Sequence, residues 1–244
     1  MIPFDFRRTG LPAGSATFGR LAPPLERDFR SLQAADREKN VIKCTDFRTA
    51  LVEYIREQAK PVDKYSHQSR LYELTRQIGA GLDYDDDVVF AAVWLHDLGV
   101  FVGHRPEEPV ALAAWDCVAY AMRQAPEVLA RFGFPAAKIP AVVEVIRTHQ
   151  PQCQPVSLEG EIVREADMLE QLGAATILRT TCKIGRDTRF RTFPEVLRVL
   201  QKNADTLPGL LTLPGSRKLA EPRLQVLRAF LSAAEAEGCT PANE

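Results

Sequence analysis

Little in this sequence speaks for an oxidising compartment or a membrane. Its five cysteines, Cys44, Cys117, Cys153, Cys182 and Cys239, are spread over 244 residues and no two stand as C-x-x-C. So sparse and odd a set argues against a disulfide framework; it reads as reduced thiols, some buried as small apolar side chains. No apolar run reaches the roughly 18–20 residues that span a bilayer. The opening MIPFDFRRTG has no apolar signal-peptide core. The expected location is therefore the cytoplasm. Charge of one sign is also lacking: 31 Lys and Arg stand against 32 Asp and Glu, a formal net charge of -1. Bulk charge thus gives no reason to expect a nucleic acid or a membrane surface as partner. Strand alternation, internal repeats and low-complexity tracts are missing as well.

What is present is enough for one large domain. Hydrophobic residues make up 45% and charged residues 26%, an ordinary globular balance. Residues 1–45 differ from the rest, with Pro3, Pro12, Pro23 and Pro24 beside Gly10, Gly14 and Gly19. Proline removes backbone donors and glycine raises chain entropy, so the stretch reads as an irregular N-terminal arm. From residue 46 to 244 the apolar spacing is helical, and the expected class is all-α. Phe47, Leu51, Tyr54 and Ile55 mark a first helix ended by Pro61, and Leu71, Leu74 and Ile78 a second closed by Gly79 and Gly81. Asp85, Asp86 and Asp87 suit the start of a third, which runs to His96 and stops near Gly99. Further helices are expected at about 108–124, 139–149, 160–180 (one helix, or two broken at Gly173), 193–204 and 216–236. Trp94 and Trp115 read as core residues, and the acidic run from Asp83 to Asp87 as a solvated surface. The tail from 205 to 244 either closes the core or forms a contact in a homodimer.

The four histidines, His67, His96, His104 and His149, all fall within one third of the chain. His67 shares a helical face with Leu71, Leu74 and Ile78, His96 with Val89, Ala92 and Val93, and His149 with Val142, Val145 and Ile146. Asp167 follows Val163 by one turn on a helix whose apolar face includes Ile162, Ala166 and Leu169. Each polar group therefore points toward, or borders, the packed side. Singly, each reads as a satisfied core residue. Together, and with His96 and Asp97 adjacent, they read as a site for a divalent metal, because a buried carboxylate is costly unless paired or bound to a cation. Mixed nitrogen and oxygen donors fit Mn, Fe, Co, Ni or Zn, and less exclusively Mg. Four ligands on an octahedral ion leave two positions for water and substrate.

The order of these residues resembles the HD superfamily of metal-dependent phosphohydrolases. YSHQSRLYEL, with Arg70 three residues after its histidine, is similar to the first motif, and VWLHDLG to the defining second one. IRTHQP is similar to the helix that often ends in a further histidine, and EIVREADMLEQLGA to the segment bearing the last aspartate. The motifs cover about residues 46–190. The resemblance implies a helical bundle with His67, His96, Asp97 and Asp167 as metal ligands near its centre. It departs from dinuclear members, which usually supply another histidine from the helix after the HD pair; here that helix offers Asp116 and Cys117. One metal is therefore expected, with His149 and His104 near it as proton-transfer groups, or His149 as a ligand.

Arginine suits phosphate because its planar fork donates two parallel hydrogen bonds. Arg70, Arg179 and Lys183 are the candidate phosphate-binding residues; the rest of the basic segment LRTTCKIGRDTRFR reads as a solvated face. His104, in the loop GHRPEEP, has two readings: a general acid beside a leaving group, or a loop residue that caps a helix or meets water. The expected reaction is hydrolysis of a nucleotide or another small phosphate ester, with Asp97 anchoring the attacking water and His149 or His104 delivering a proton. The same resemblance admits nitrile hydration, as in cyanamide hydratase, oxidation at a di-iron centre, as in myo-inositol oxygenase, and a non-catalytic module that has kept its metal.

Overall fold

Local capping and apolar spacing set the helix borders. The computed structural model describes residues 46–185 and 190–239. The expected N-terminal arm, with Arg186 and Arg189 of the basic segment, lies outside the described residues. Asp46 accepts from the Arg48 amide at the start of α1 (Phe47–Gln58). Asp85 accepts from the amides of Asp87 and Val88 at the start of α3 (Asp86–Leu95), whose first turn also carries Asp86 and Asp87. Between them runs α2 (Asp63–Ile78). All eight residues from Val88 to Leu95 are buried. A helix apolar on every side must be surrounded. Accordingly α3 packs against α1, α2, α5 (Cys117–Arg131), α6 (Ile139–Thr148) and α7 (Leu158–Glu170). Among the described residues there is no strand; the chain is all-α.

Two expectations are refined. The single helix expected at 108–124 is two, because Asp116 takes an extended backbone and accepts from the Ala119 amide. It thereby caps α5 and separates it from the short α4 (Pro109–Ala113), which Glu108 caps in turn. At 160–180 the break at Gly173 is real: α7 ends at Glu170 and α8 (Ala174–Thr181) begins after Gly173, whose φ of 81° a side chain would resist. The acidic run is engaged with cations. Asp87 receives the Arg48 guanidinium at 2.6 Å and the Lys138 ammonium at 3.2 Å.

The chain closes with α9 (Phe193–Thr206) and α10 (Pro214–Ala236). Glu165, fully buried on α7, accepts from the backbone of Thr212 at 2.6 Å and of Leu213 at 3.2 Å, which caps the entry to α10. Leu211, Ala220, Leu224 and Leu227 then join the core, so the tail covers it. No helix among the described residues is long and apolar enough to cross a membrane.

The turn after His96 is set by one close approach. Leu98–Val100 forms a single 3-10 turn, and a Cβ at Gly99 would lie 2.4 Å from the carbonyl oxygen of Cys117 and 2.8 Å from its Cα. The Trp115 indole, half-buried rather than in the deep core, donates to the Gly99 carbonyl at 2.8 Å and holds the same junction. Backbone cannot step aside as a side chain tip can. Gly99→Ala should therefore destabilise the chain by about 1–3 kcal/mol, the usual cost of forced overpacking. Thermal unfolding followed by circular dichroism checks this; an unchanged midpoint would contradict the close contact.

Candidate metal centre

Three helices and one turn deliver the donors. His67 lies on the buried face of α2, above Leu71 and Leu74, and is 2% exposed. His96 ends α3, and the chain then passes through φ -93° and ψ 8° at Asp97, a bridge conformation frequent at functional sites. The α7 helix supplies Asp167. These elements bring His67 Nε2 to 3.7 Å from Asp97 Oδ2 and 3.6 Å from Asp167 Oδ1, and His96 Nε2 to 3.7 Å from Asp97 Oδ1. Donor atoms of His67, His96 and Asp97 all lie within 4.8 Å of one another. Two donors each about 2.1 Å from a shared ion stand about 3–3.6 Å apart, so the pairs at 3.6–3.7 Å lie at the upper edge of what one ion spans. The ring of His149 lies 5.0 Å from that of His96, centroid to centroid.

All three histidines are oriented alike. His96 Nδ1 lies 2.9 Å from the Val93 carbonyl and His149 Nδ1 2.6 Å from the Ile146 carbonyl. A carbonyl only accepts, so each Nδ1 carries the proton and each Nε2 presents a lone pair. His67 Nδ1 lies 3.2 Å from Glu170 Oε2, with the same consequence. This is how proteins aim imidazoles at metals: a partner behind the ring fixes the tautomer and raises the basicity of the donor nitrogen. His96 Nε2 is buried and has no hydrogen-bond partner. An orphaned polar atom costs free energy in an apolar interior, and a cation removes that cost. The residues present thus fit a divalent ion, although nothing in the ligand set selects among the metals.

Carboxylate placement is equally deliberate. Gln171 donates to Asp167 Oδ2 at 3.2 Å, leaving Oδ1 toward His67. Glu170 Oε2 accepts from His67, from Arg70 Nη2 at 3.1 Å and from Arg179 Nη1 at 3.1 Å. Arg179 Nη1 also comes within 3.0 Å of His67 Nδ1. Both carry hydrogens, so that approach reflects their shared acceptor and is no bond between them.

Electrostatics follow from burial and neighbours. Burial pushes the His67 and His149 imidazoles below their ordinary pKa, so both are neutral at neutral pH. Burial works against ionisation of Asp97, but the charge that His96 and His67 carry when protonated, with that of the Lys64 ammonium, outweighs it and holds the carboxyl well below the usual range. For Glu170 burial is likewise overcome, by hydrogen bonds from His67 and Arg70, which bring its pKa to about 2.

The metal cluster opens into a cavity of about 380 Å³. Its wall includes Asp97, His149, Asp167, Lys64, Arg179 and Lys183, with Thr176, Thr180 and Asn203. Arg70 and His104 are not among the lining residues. Arg70 is spent on Glu170 and Ser66. His104 Nδ1 lies 2.9 Å from the Tyr120 hydroxyl and its Nε2 2.9 Å from Gln58 Oε1, which ties the 101–105 loop to α1 and α5. Sequence reasoning missed Lys64, Glu170 and Gln171. The signal was there in part: Lys64 precedes His67, and Glu170 follows Asp167, by one helical turn. A larger cleft of about 470 Å³ between α9 and α10 contains none of the metal-cluster residues.

The depressed Glu170 carboxyl has a pH signature. Its folded pKa lies below its unfolded one, so its contribution to stability is present above about pH 4.5 and is lost as pH falls through about 2. Glu170→Gln should lower the unfolding midpoint at pH 7 and flatten the acid limb between those values. Thermal melts across pH 2–7 check this, and an acid limb as steep as in the wild type would show that the carboxylate is not so held.

Residues 65–172 match the family model described as the HD domain. Three solved structures share the architecture. Bacillus subtilis YpgQ in complex with ADP is 21% identical, with a TM-score of 0.59 over 78% of this chain and 94% of that one. An HD-superfamily hydrolase from Bacillus thuringiensis is 18% identical, with a TM-score of 0.58 over 80% and 98%. Listeria innocua Lin1889 is 16% identical, with a TM-score of 0.58 over 80% and 97%. At these identities the likeness is one of fold. No curated protein sequence matches the chain. The matched segment, residues 65–172, is similar to the HD domain and holds His67, the His96–Asp97 pair, Asp167 and Glu170 in one cluster.

Proposed function

We propose that this chain is a metal-dependent phosphohydrolase acting on a nucleotide or another small phosphate ester. The observation that carries the reading is a single cavity in which the metal cluster shares its wall with Lys64, Arg179 and Lys183. Three cationic groups around a site for a divalent ion suit an anion of high charge density. Bacillus subtilis YpgQ, of similar fold, forms a complex with ADP, which favours a phosphorylated ligand for this chain as well.

In this reading His67, His96, Asp97 and Asp167 hold one divalent ion of the Mn, Fe, Co, Ni, Zn or Mg group. The ion supplies Lewis acidity and lowers the pKa of water near it. Lys64, Arg179 and Lys183 bind and orient the phosphate and offset its charge. Neutral His149, with its Nδ1 proton committed to the Ile146 carbonyl, offers the Nε2 lone pair to the cavity. It therefore takes a proton from the attacking water, or donates its lone pair as a fifth ligand. His104 and Arg70 act structurally, the one fastening the 101–105 loop and the other supporting Glu170. The substrate is a small molecule. Neither a nucleic acid nor a membrane is required as partner, and a homodimer is compatible with the same cavity.

Elemental analysis of chain purified without chelator should find about one transition metal per chain, lost in the paired His96→Ala, Asp97→Ala variant. With the metal supplied, phosphate release from ADP, ATP and p-nitrophenyl phosphate should fall more than about a hundredfold in Asp97→Ala. Lys183→Gln should raise KM about tenfold, with a smaller change in kcat, as expected for a residue that binds rather than reacts. Turnover unaffected by Asp97→Ala would overturn the mechanism. Two irons per chain with oxygen consumption would replace it with an oxidative one.

A further inference from the structure

We propose that Glu170 is a positioning residue that couples the metal ligand His67 to the cavity residue Arg179. This rests on the metal-centre reading above and adds a link between the two occupants of the site. Glu170 is only 4% exposed and does not line the cavity, so it cannot meet substrate itself. Its two oxygens are used unequally. Oε1 meets only Arg70 Nε at 3.2 Å, a donor that it shares with Oε2 at the same distance. Oε2 is the common acceptor for His67 Nδ1 at 3.2 Å and Arg179 Nη1 at 3.1 Å, with Arg70 Nη2 beside them at 3.1 Å. Arg70, anchored on Ser66 one turn back, supplies a standing counter-charge. His67 and Arg179 are the partners whose demands change, because each also faces a ligand of its own.

The two demands compete for one oxygen. A cation at His67 Nε2 draws electron density from the ring and makes Nδ1–H a stronger donor. Oε2 then turns toward His67 and loosens its hold on Arg179, whose guanidinium becomes more available to an anion. In reverse, an anion that draws Arg179 away leaves Oε2 to His67 and makes Nε2 a better donor to the cation. Each occupant thus favours the other, and reciprocity requires the same factor in both directions. Only a group with charge and two acceptor lone pairs on one oxygen can do this; a glutamine offers one oxygen and turns an N–H donor toward the remaining partners.

A double-mutant cycle on Mn²⁺ affinity, read by equilibrium dialysis of the full chain without substrate, tests the link. Glu170→Gln should weaken Mn²⁺ binding by about 10–100-fold, the usual cost of losing the group behind a ligating histidine. Arg179→Gln, which leaves Oε2 to His67, should tighten it by about threefold in the wild-type background and leave it unchanged in Glu170→Gln. Glu170→Asp keeps the charge beside Arg70 but withdraws it by one methylene; the effect of Arg179→Gln should vanish there too, even if the glutamine variant does not fold. If Arg179→Gln shifts Mn²⁺ affinity by the same factor in every background, the coupling is overturned while the metal centre stands. If the wild-type chain takes up no Mn²⁺, the metal-centre reading falls and this proposal with it.

Discussion

Gathering His67, His96 and Asp97 inside an apolar helical bundle is the constraint on which the rest depends. Neither an imidazole lone pair nor a carboxylate can be left unpartnered where water does not reach. The chain meets this from behind and leaves it unmet in front. Behind each ring stands an acceptor: the Val93 carbonyl, the Ile146 carbonyl or the Glu170 carboxylate. In front, the nitrogens and carboxylate oxygens converge at 3.6–3.7 Å, and His96 Nε2 has no partner. A scaffold that meets the demand only from behind is organised for a cation in front.

That demand explains several features of the fold. The central α3 is apolar on all sides because it must hold the His96–Asp97 junction in the middle of the bundle. Gly99 is needed just after it, since the turn lies against the backbone of Cys117. The α7 helix and its C-cap contribute in three ways within the seven residues Glu165–Gln171. Glu165 caps the entry to α10, Asp167 faces the cluster, and Glu170 with Gln171 holds His67 and Asp167 in place. The rigidity of one helix makes these roles mutually consistent, as a site accurate to a fraction of an ångström requires.

The cavity divides labour between charge types. Its wall carries the carboxylates Asp97 and Asp167 together with the cations Lys64, Arg179 and Lys183. Glu170 lies buried behind both, a countercharge for Arg179 and an acceptor for His67. Opposite charges on one wall, with the Glu170 carboxylate behind them, largely offset one another. The site can then take up a cation and an anion together without large changes in net charge.

The sequence by itself determined the helical class and most helix borders, and it singled out the residues His67, His96, Asp97 and Asp167 that the fold brings near one another. Those features are local: apolar spacing, capping residues and the His96–Asp97 pair are each legible within one or two turns. The break at Gly173 was legible for the same reason, whereas the split at Ala114–Asp116 was masked by apolar residues on either side whose spacing mimics one continuous helix. What only the tertiary structure decided was who faces whom. Arg70 has the motif position of a phosphate ligand, yet it lies against a glutamate a hundred residues away in sequence, and His104 sits between Tyr120 and Gln58. Lys64 and Glu170 stand one helical turn from His67 and Asp167, yet that spacing alone does not show what each of them meets. Their roles come from α2, α7 and α8 meeting at one point, a long-range contact that no spacing along a single helix encodes.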